Sequence, residues 1–187
     1  MKHIATMALM LNLGVASVYA HEQPVRMTFS GTSAASAISL QQPGTSNDED
    51  NFAGDGTLGR FTLRNVRAVA TSPEPSGTCP SPTQLYFTEP AGAGVFRFQD
   101  GSLLKVNLTQ GVDCIDFAAQ EAHCTIIFQI TGGTGRFKAA SGILTFTETV
   151  KPVLADALNK PVFFAATGEF TGTVSGVQME GDHHDEH

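Results

Sequence analysis

The sequence predicts an all-β protein, and three observations carry that prediction. Period-two alternation of apolar and polar residues recurs in short stretches along the chain, whereas helical periodicity hardly appears. Glycine-bearing bends repeatedly feed strands that carry a Phe: Gly59-Arg60-Phe61, Gly135-Arg136-Phe137 and Gly168-Glu169-Phe170. Their unequal spacing excludes a solenoid and suits a small barrel, in which such bends turn the chain and the Phe points inward.

The opening MKHIATMALMLNLGVASVYA has a basic start at Lys2, an apolar run to Val15 and a small-residue ending at Ala20. It reads as a secretory signal peptide over residues 1–20, and predicts a secreted or periplasmic protein. Asn12 and Gly14 interrupt a run already short for a bilayer span, so no membrane span is expected. The remainder is of one-domain size: a single β domain over residues 21–180 and a His- and acid-rich flexible tail over 181–187.

Val25, Met27 and Phe29 share one face of a first strand, with Arg26, Thr28 and Ser30 on the other. Further strands are expected over residues 34–40, 57–70, 83–89, 94–99, 102–109, 143–150 and 162–174. Cys124, Ile126, Phe128 and Ile130 mark the inner face of another. QQPGTSNDEDNFAGDG, residues 41–56, is polar, acidic and glycine-bearing, and reads as a mobile connection rimming a binding mouth or as a solvated spacer. SPEPSGTCPSP, residues 72–82, is a stiff irregular loop, and VLADALN, residues 153–159, is the one segment with helical potential. Asp100-Gly101 is a two-residue hairpin signal, with Gly free to take positive φ.

The formal net charge of −7 is concentrated in acids of the 41–56 segment and the tail, leaving a nearly neutral body. Clustered Lys and Arg are lacking, which excludes a nucleic-acid footprint. Three cysteines allow three pairings, each leaving one thiol over. A bond between Cys114 and Cys124, at the two ends of a short connection between strand-like runs, is the favoured pairing, with Cys79 free or intermolecular.

The segment Gly132, Gly133, Thr134, Gly135, Phe137, Ala140 and Gly142 resembles the GGTG-x-F-x-x-A-x-G corner of plant dirigent proteins, and is similar to the corresponding corner of the allene oxide cyclases. The resemblance implies an eight-stranded antiparallel β-barrel with an apolar interior, commonly a trimer. It also implies a small hydrophobic substrate: dirigent proteins steer phenoxy-radical coupling and allene oxide cyclases close a fatty-acid epoxide to a cyclopentenone. The glycines make physical sense in their own right, permitting a bend that side chains would block while Phe137 plugs the barrel end.

Gly54-Asp55-Gly56-Thr57-Leu58-Gly59 satisfies GxGxxG, but a strand pattern comes after it, so no helix N-terminus is present to hold a pyrophosphate. GGTGRF lacks the ending of a P-loop. Neither cluster implies a nucleotide, and no cofactor is expected. No GxSxG occurs, and His123 reads as a hairpin residue rather than a general base. His183, His184 and His187, among Asp182, Asp185 and Glu186, form either a loose metal-capturing tail or a solubilising one.

Thirteen Phe, two Tyr and no Trp disfavour a sugar-binding platform and suit a small apolar molecule as the partner. Within such an interior the polar candidates are Glu148, sharing a face with Leu144, Phe146 and Val150, and Asn65 and Arg67, sharing one with Phe61 and Leu63. If the three converge, Glu148 can serve as base or hydrogen-bond acceptor while Arg67 stabilises an anion; a buried ion pair is the plainer alternative. Binding is the leading functional expectation, an isomerase or cyclase the second, and a structural or metal-capturing envelope protein the third.

Overall fold

The computed structural model describes residues 22–178, Ser76 excepted. The expected signal peptide, His21 and the acidic histidine tail lie outside the described residues. Nine strands appear among them: β1 (Gln23–Ala35), β2 (Thr45–Gly56), β3 (Phe61–Ala70), β4 (Leu85–Thr88), β5 (Ala91–Phe98), β6 (Leu103–Asp116), β7 (Glu121–Gly133), β8 (Ser141–Ala155) and β9 (Pro161–Ser175). All pairings are antiparallel. Eight strands close a ring in the order β1-β2-β3-β5-β6-β7-β8-β9, sealed by β1 against β9. β4 lies in line with β5, pairing Leu85–Thr88 with the far half of β6 while β5 pairs with the near half. Closure leaves no long unpaired edge to recruit another chain.

The alternation read from the sequence sets the inner surface. Val25, Met27 and Phe29 of β1 are buried, as are Cys124, Ile126, Phe128 and Ile130 of β7. One half of the barrel is filled solid by phenylalanines. Phe29 lies 4.6 Å from Phe52 and 5.2 Å from Phe146, and Phe170 lies 5.0 Å from both Phe96 and Phe146, centroid to centroid. Each ring buried in this way contributes on the order of 1.5–3 kcal/mol.

The glycine-rich corner closes this half. Gly132 and Gly135 take φ of 105° and 56°, and a single 3₁₀ turn, Gly135–Phe137, drops Phe137 into the barrel end with no exposure. Its ring lies tilted against Phe98, 4.7 Å between centroids. The Arg136 guanidinium covers Phe137 at 4.4 Å and bonds Asp100 at 2.8 Å, tying the corner to the β5–β6 hairpin.

Several local expectations need correction. Residues 41–56 are largely strand, because Asn47, Glu49 and Asn51 face outward while Asp50 and Phe52 face inward against β3; the acidic composition hid an alternation. β1 stops at Ala35, where Ser36 Oγ accepts the Ile38 N–H and turns the chain, so 34–40 is not a strand. VLADALN forms no helix: β8 runs to Ala155, and Asp156 Oδ1 accepts from the backbone of Leu158 and Lys160, making a hairpin turn. The Asp100-Gly101 hairpin is present with a longer loop. The Gly101 N–H donates to Phe98 O, the Phe98 N–H to Ser102 O, and Gly101 has φ of 83°, the pattern of a turn followed by a glycine bulge.

The cysteine expectation is also overturned, since Cys114 bonds Cys79 and Cys124 is free and buried. The cause is an irregularity in β6. Leu108 pairs with Phe128 but Gln110 pairs with Ile127, so Thr109 is an extra residue in the ladder. Before it, even-numbered Leu104 and Val106 point inward; beyond it, odd-numbered Gly111 and Asp113 do. Cys114 therefore faces outward, beneath the 72–84 loop that carries Cys79. Cys124 pairs directly with Asp113 and faces inward, on the opposite side of the sheet from Cys114.

Candidate functional site

The half of the barrel away from the Phe137 plug is polar. Its centre is Arg67, two residues on from Asn65 on the inner face of β3, with only 2% of its surface exposed. The guanidinium is surrounded by acids from neighbouring strands and strand ends. Nε lies 2.8 Å from Asp50 Oδ2 and Nη2 donates to Asp50 Oδ1 at 3.3 Å, while Asn65 Nδ2 donates to Asp50 Oδ2 at 3.0 Å. Nη1 donates to Glu89 Oε1 at 2.7 Å, Nη2 lies 3.0 Å from Glu148 Oε1, and Nη1 is 3.8 Å from Asp113 Oδ1.

Register explains the gathering. Asp50 lies directly opposite Asn65, Asp113 opposite Cys124, and Cys124 opposite Glu148, giving an inward-facing belt at one level of the barrel. On the β5 side, Arg67 and Asn65 pair with Gly92 and Gly94, where a Cβ would press on Leu108 and on Leu63 and Asn65 respectively. Glu89 enters where β4 gives way to β5. A Cβ on Gly111 would lie 2.7 Å from Glu89 Cβ, so glycine at that position lets Glu89 approach.

One guanidinium thus faces four buried carboxyl groups, more negative charge than a dry interior supports. Burial pushes Glu148 up to about 8 despite the attraction of Arg67, and pushes Glu89 well above the usual carboxylate range for the same reason. Glu148 therefore holds its proton at neutral pH. Burial opposes the charge on Arg67, but Asp50, Glu89 and Glu148 together raise its pKa further, so it stays a cation. Burial, with Asp113 and Glu148 nearby, raises the Cys124 thiol well above its ordinary value.

Above the belt opens a cavity of about 370 Å³. Its walls are mainly apolar, built from Ile115, Phe117, Ala122, Val150, Pro152 and Phe164 with Asp116, Gln120 and Glu121 among them, and its floor is Arg67, Asp113 and Cys124, with Asp48 alongside. Asp48 pairs in register with Arg67 and is half-buried; desolvation raises its pKa to about 6, against the pull of Arg67.

The structure brings Asn65, Arg67 and Glu148 together. It also separates their positions: Arg67 reaches the cavity, whereas the Glu148 side chain is fully buried beneath it, outside the cavity lining. Asp50, Glu89 and Asp113 escaped sequence reasoning. Asp50 and Glu89 each sit two residues from an inward Phe, Phe52 and Phe87, a signal that was present; Asp113 was hidden by the Thr109 bulge. His123 lies on the outer face, its Nε2 2.7 Å from Glu121 and its Nδ1 3.2 Å from Thr149 Oγ1, away from the cluster. Glu89, Asp113 and Cys124 offer ligand atoms within 4.8 Å of one another and can in principle hold a metal, although Arg67 already stands as a cation against two of them. His183, His184 and His187 lie outside the described residues. Gly54–Gly59 is the end of β2 and its turn into β3, with no helix after it.

The barrel resembles dirigent-type structures. It aligns with the pterocarpan synthase dirigent protein PsPTS1 at 13% identity and a TM-score of 0.44, covering 85% of this chain and 97% of that one. A second pterocarpan synthase dirigent protein, GePTS1, aligns at 11% identity and 0.43, covering 85% and 87%. A nonspecific heme-binding cyclase of neoabyssomicin biosynthesis aligns at 13% identity and 0.38, covering 84% and 70%. No protein-family model matches the chain, and no curated protein matches it in sequence.

Proposed function

We propose that the protein is an exported binding barrel that holds a small, mainly apolar molecule in the cavity at its open end, acting in the periplasm or outside the cell after cleavage behind Ala20. The observation that carries this reading is the cavity itself: about 370 Å³, with apolar walls from β6 to β9 above a polar floor. That combination of many apolar contacts and a few fixed polar groups is what small-molecule sites share, and the volume lies at the lower end of their range. The solid phenylalanine half supports it by supplying stability that the hollow half does not.

The test is native mass spectrometry of protein taken from its host's exported fraction, followed by denaturation and identification of the released molecule. A reproducible apolar molecule supports the reading. Ala122→Trp, which fills the cavity wall, should abolish retention of that molecule; unchanged retention would place the ligand elsewhere.

A second reading, an isomerase or cyclase, draws on one specific observation: a buried carboxyl, Glu148, kept protonated near neutrality beside Arg67. Because Glu148 lies beneath the floor, its part would be to position Arg67 while Arg67 and Asp113 meet the substrate. Turnover that falls with Glu148→Gln while ligand retention stays intact favours this reading.

A further inference from the structure

The cavity floor is asymmetric in charge. Among the described residues Arg67 is its one cation, and four of its five N–H groups are already taken: Asp50 occupies Nε and one N–H of Nη2, Glu148 lies against Nη2, and Glu89 occupies one N–H of Nη1. A ligand anion would therefore find at most one guanidinium N–H, and that one stands beside Asp113. It would instead meet carboxyl groups, because Asp48, Asp113, Asp116 and Glu121 all line the cavity.

Those four are not equally engaged. Glu121 is bonded by Lys151 and His123, each at 2.7 Å. Asp116 accepts from Thr83 Oγ1 at 2.6 Å and from the N–H groups of Ala118 and Ala119. Asp113 differs: it is 6% exposed, and its Oδ1 has no hydrogen-bond partner among the described residues. Arg67 Nη1 stands 3.8 Å away, beyond hydrogen-bond reach. Glu89, when protonated, can share its one proton with this carboxyl from below, which leaves most of the acceptor capacity unused. A buried carboxylate so thinly paired is costly; Oδ1 is turned toward Arg67, and the rest of the side chain lines the cavity, which Asp48 of β2 also lines, close enough for Asp113 to raise its pKa.

We infer that the ligand is an amphiphilic amine: an apolar body against Ile115, Val150 and Phe164, and a protonated amino group donating to Asp113 and Asp48. This rests on the reading of the protein as a binding barrel and narrows the class of molecule it takes. An ammonium group supplies the donors the floor lacks, and its charge offsets the excess of carboxylates around Arg67. Fatty acids and other apolar anions are disfavoured, because the acids lining the cavity outnumber its one cation.

The experiment is a calorimetric titration of the full mature chain at neutral pH with octylamine, octanol and octanoic acid, which share an alkyl body and differ in the charge of the head. Octylamine should bind about tenfold or more tightly than octanol, as expected of a charge-assisted hydrogen bond, and octanoic acid should bind more weakly than octanol. Asp113→Asn should bring octylamine down to the level that octanol shows in the same variant. Asp48→Asn, at a half-buried position nearer the rim, should weaken octylamine in the same direction should Asp113→Asn fail to fold. Equal binding of all three overturns the amine assignment and leaves the apolar-binding reading standing. Binding by none of them overturns both.

Discussion

Replacing Glu148 by Gln isolates the electrostatic state of the buried belt. An unfolded Glu gives up its proton near 4.5, whereas Glu148 in the barrel holds it up to about 8. Between those values the native state keeps a proton that the unfolded chain has lost, so stability falls as pH rises, by about 1.36 kcal/mol per pH unit. From 4.5 to neutrality this amounts to a loss on the order of 3 kcal/mol, and the decline ends above about 8, where both states are ionised. Gln does not titrate and mimics the protonated carboxyl in shape and hydrogen bonding, so the variant should escape this decline. Urea unfolding followed by circular dichroism, suitable because the chain has no Trp, would be run from about pH 4.5 to 8 on both proteins. The stability of E148Q relative to the parent should climb across that range by an amount of that order. Parallel curves, with a difference independent of pH, would refute the claim that Glu148 is protonated in the folded protein.

The same geometry sets further expectations. Arg67→Met leaves Asp50 and its neighbours without their cation and should cost about 3–5 kcal/mol in urea unfolding, the range for breaking a buried ion pair. Phe137→Ala opens the plugged end and should cost about 3–5 kcal/mol, seen as a lowered thermal midpoint. Changing both Cys79 and Cys114 to Ser releases a loop with a sequence separation of 35 and should cost about 4 kcal/mol on the chain-entropy model, whereas Cys124→Ser should leave the sensitivity to reductant unaltered. Octylamine binding should weaken as pH drops through about 6, because Asp48 then takes up a proton, while octanol binding stays level; a flat octylamine profile would remove Asp48 from the site.

The barrel was legible wherever alternation ran uninterrupted. Val25 to Phe29, Cys124 to Ile130 and Leu144 to Val150 declared their inner faces, and the glycine corner with Phe137 declared how one end closes. β2 was not legible because composition spoke louder than spacing: Asp48, Glu49 and Asp50 suggest a solvated loop, yet Asp50 keeps step with Phe52. Placing Asn65, Arg67 and Glu148 on inner faces sufficed to bring them into one neighbourhood. Which of them meets the cavity depends on depth along the barrel, a quantity period-two patterning does not carry. Asp113 and the Cys79–Cys114 bond were out of reach for a different reason, since the single extra residue Thr109 exchanges inside for outside over the remainder of β6.

The division of the barrel into a packed half and a hollow half has an evolutionary consequence. Most of the stacked aromatic rings, the buried aliphatic side chains around them and the Phe137 plug belong to one end, while the cavity and its polar floor belong to the other. Substitutions in the wall residues Ile115, Phe117 and Pro152 touch little of that aromatic stack, so they draw only lightly on the margin that keeps the chain folded. Such a molecule can drift from one ligand to another by small steps, each passing through a folded intermediate, with its anchor untouched.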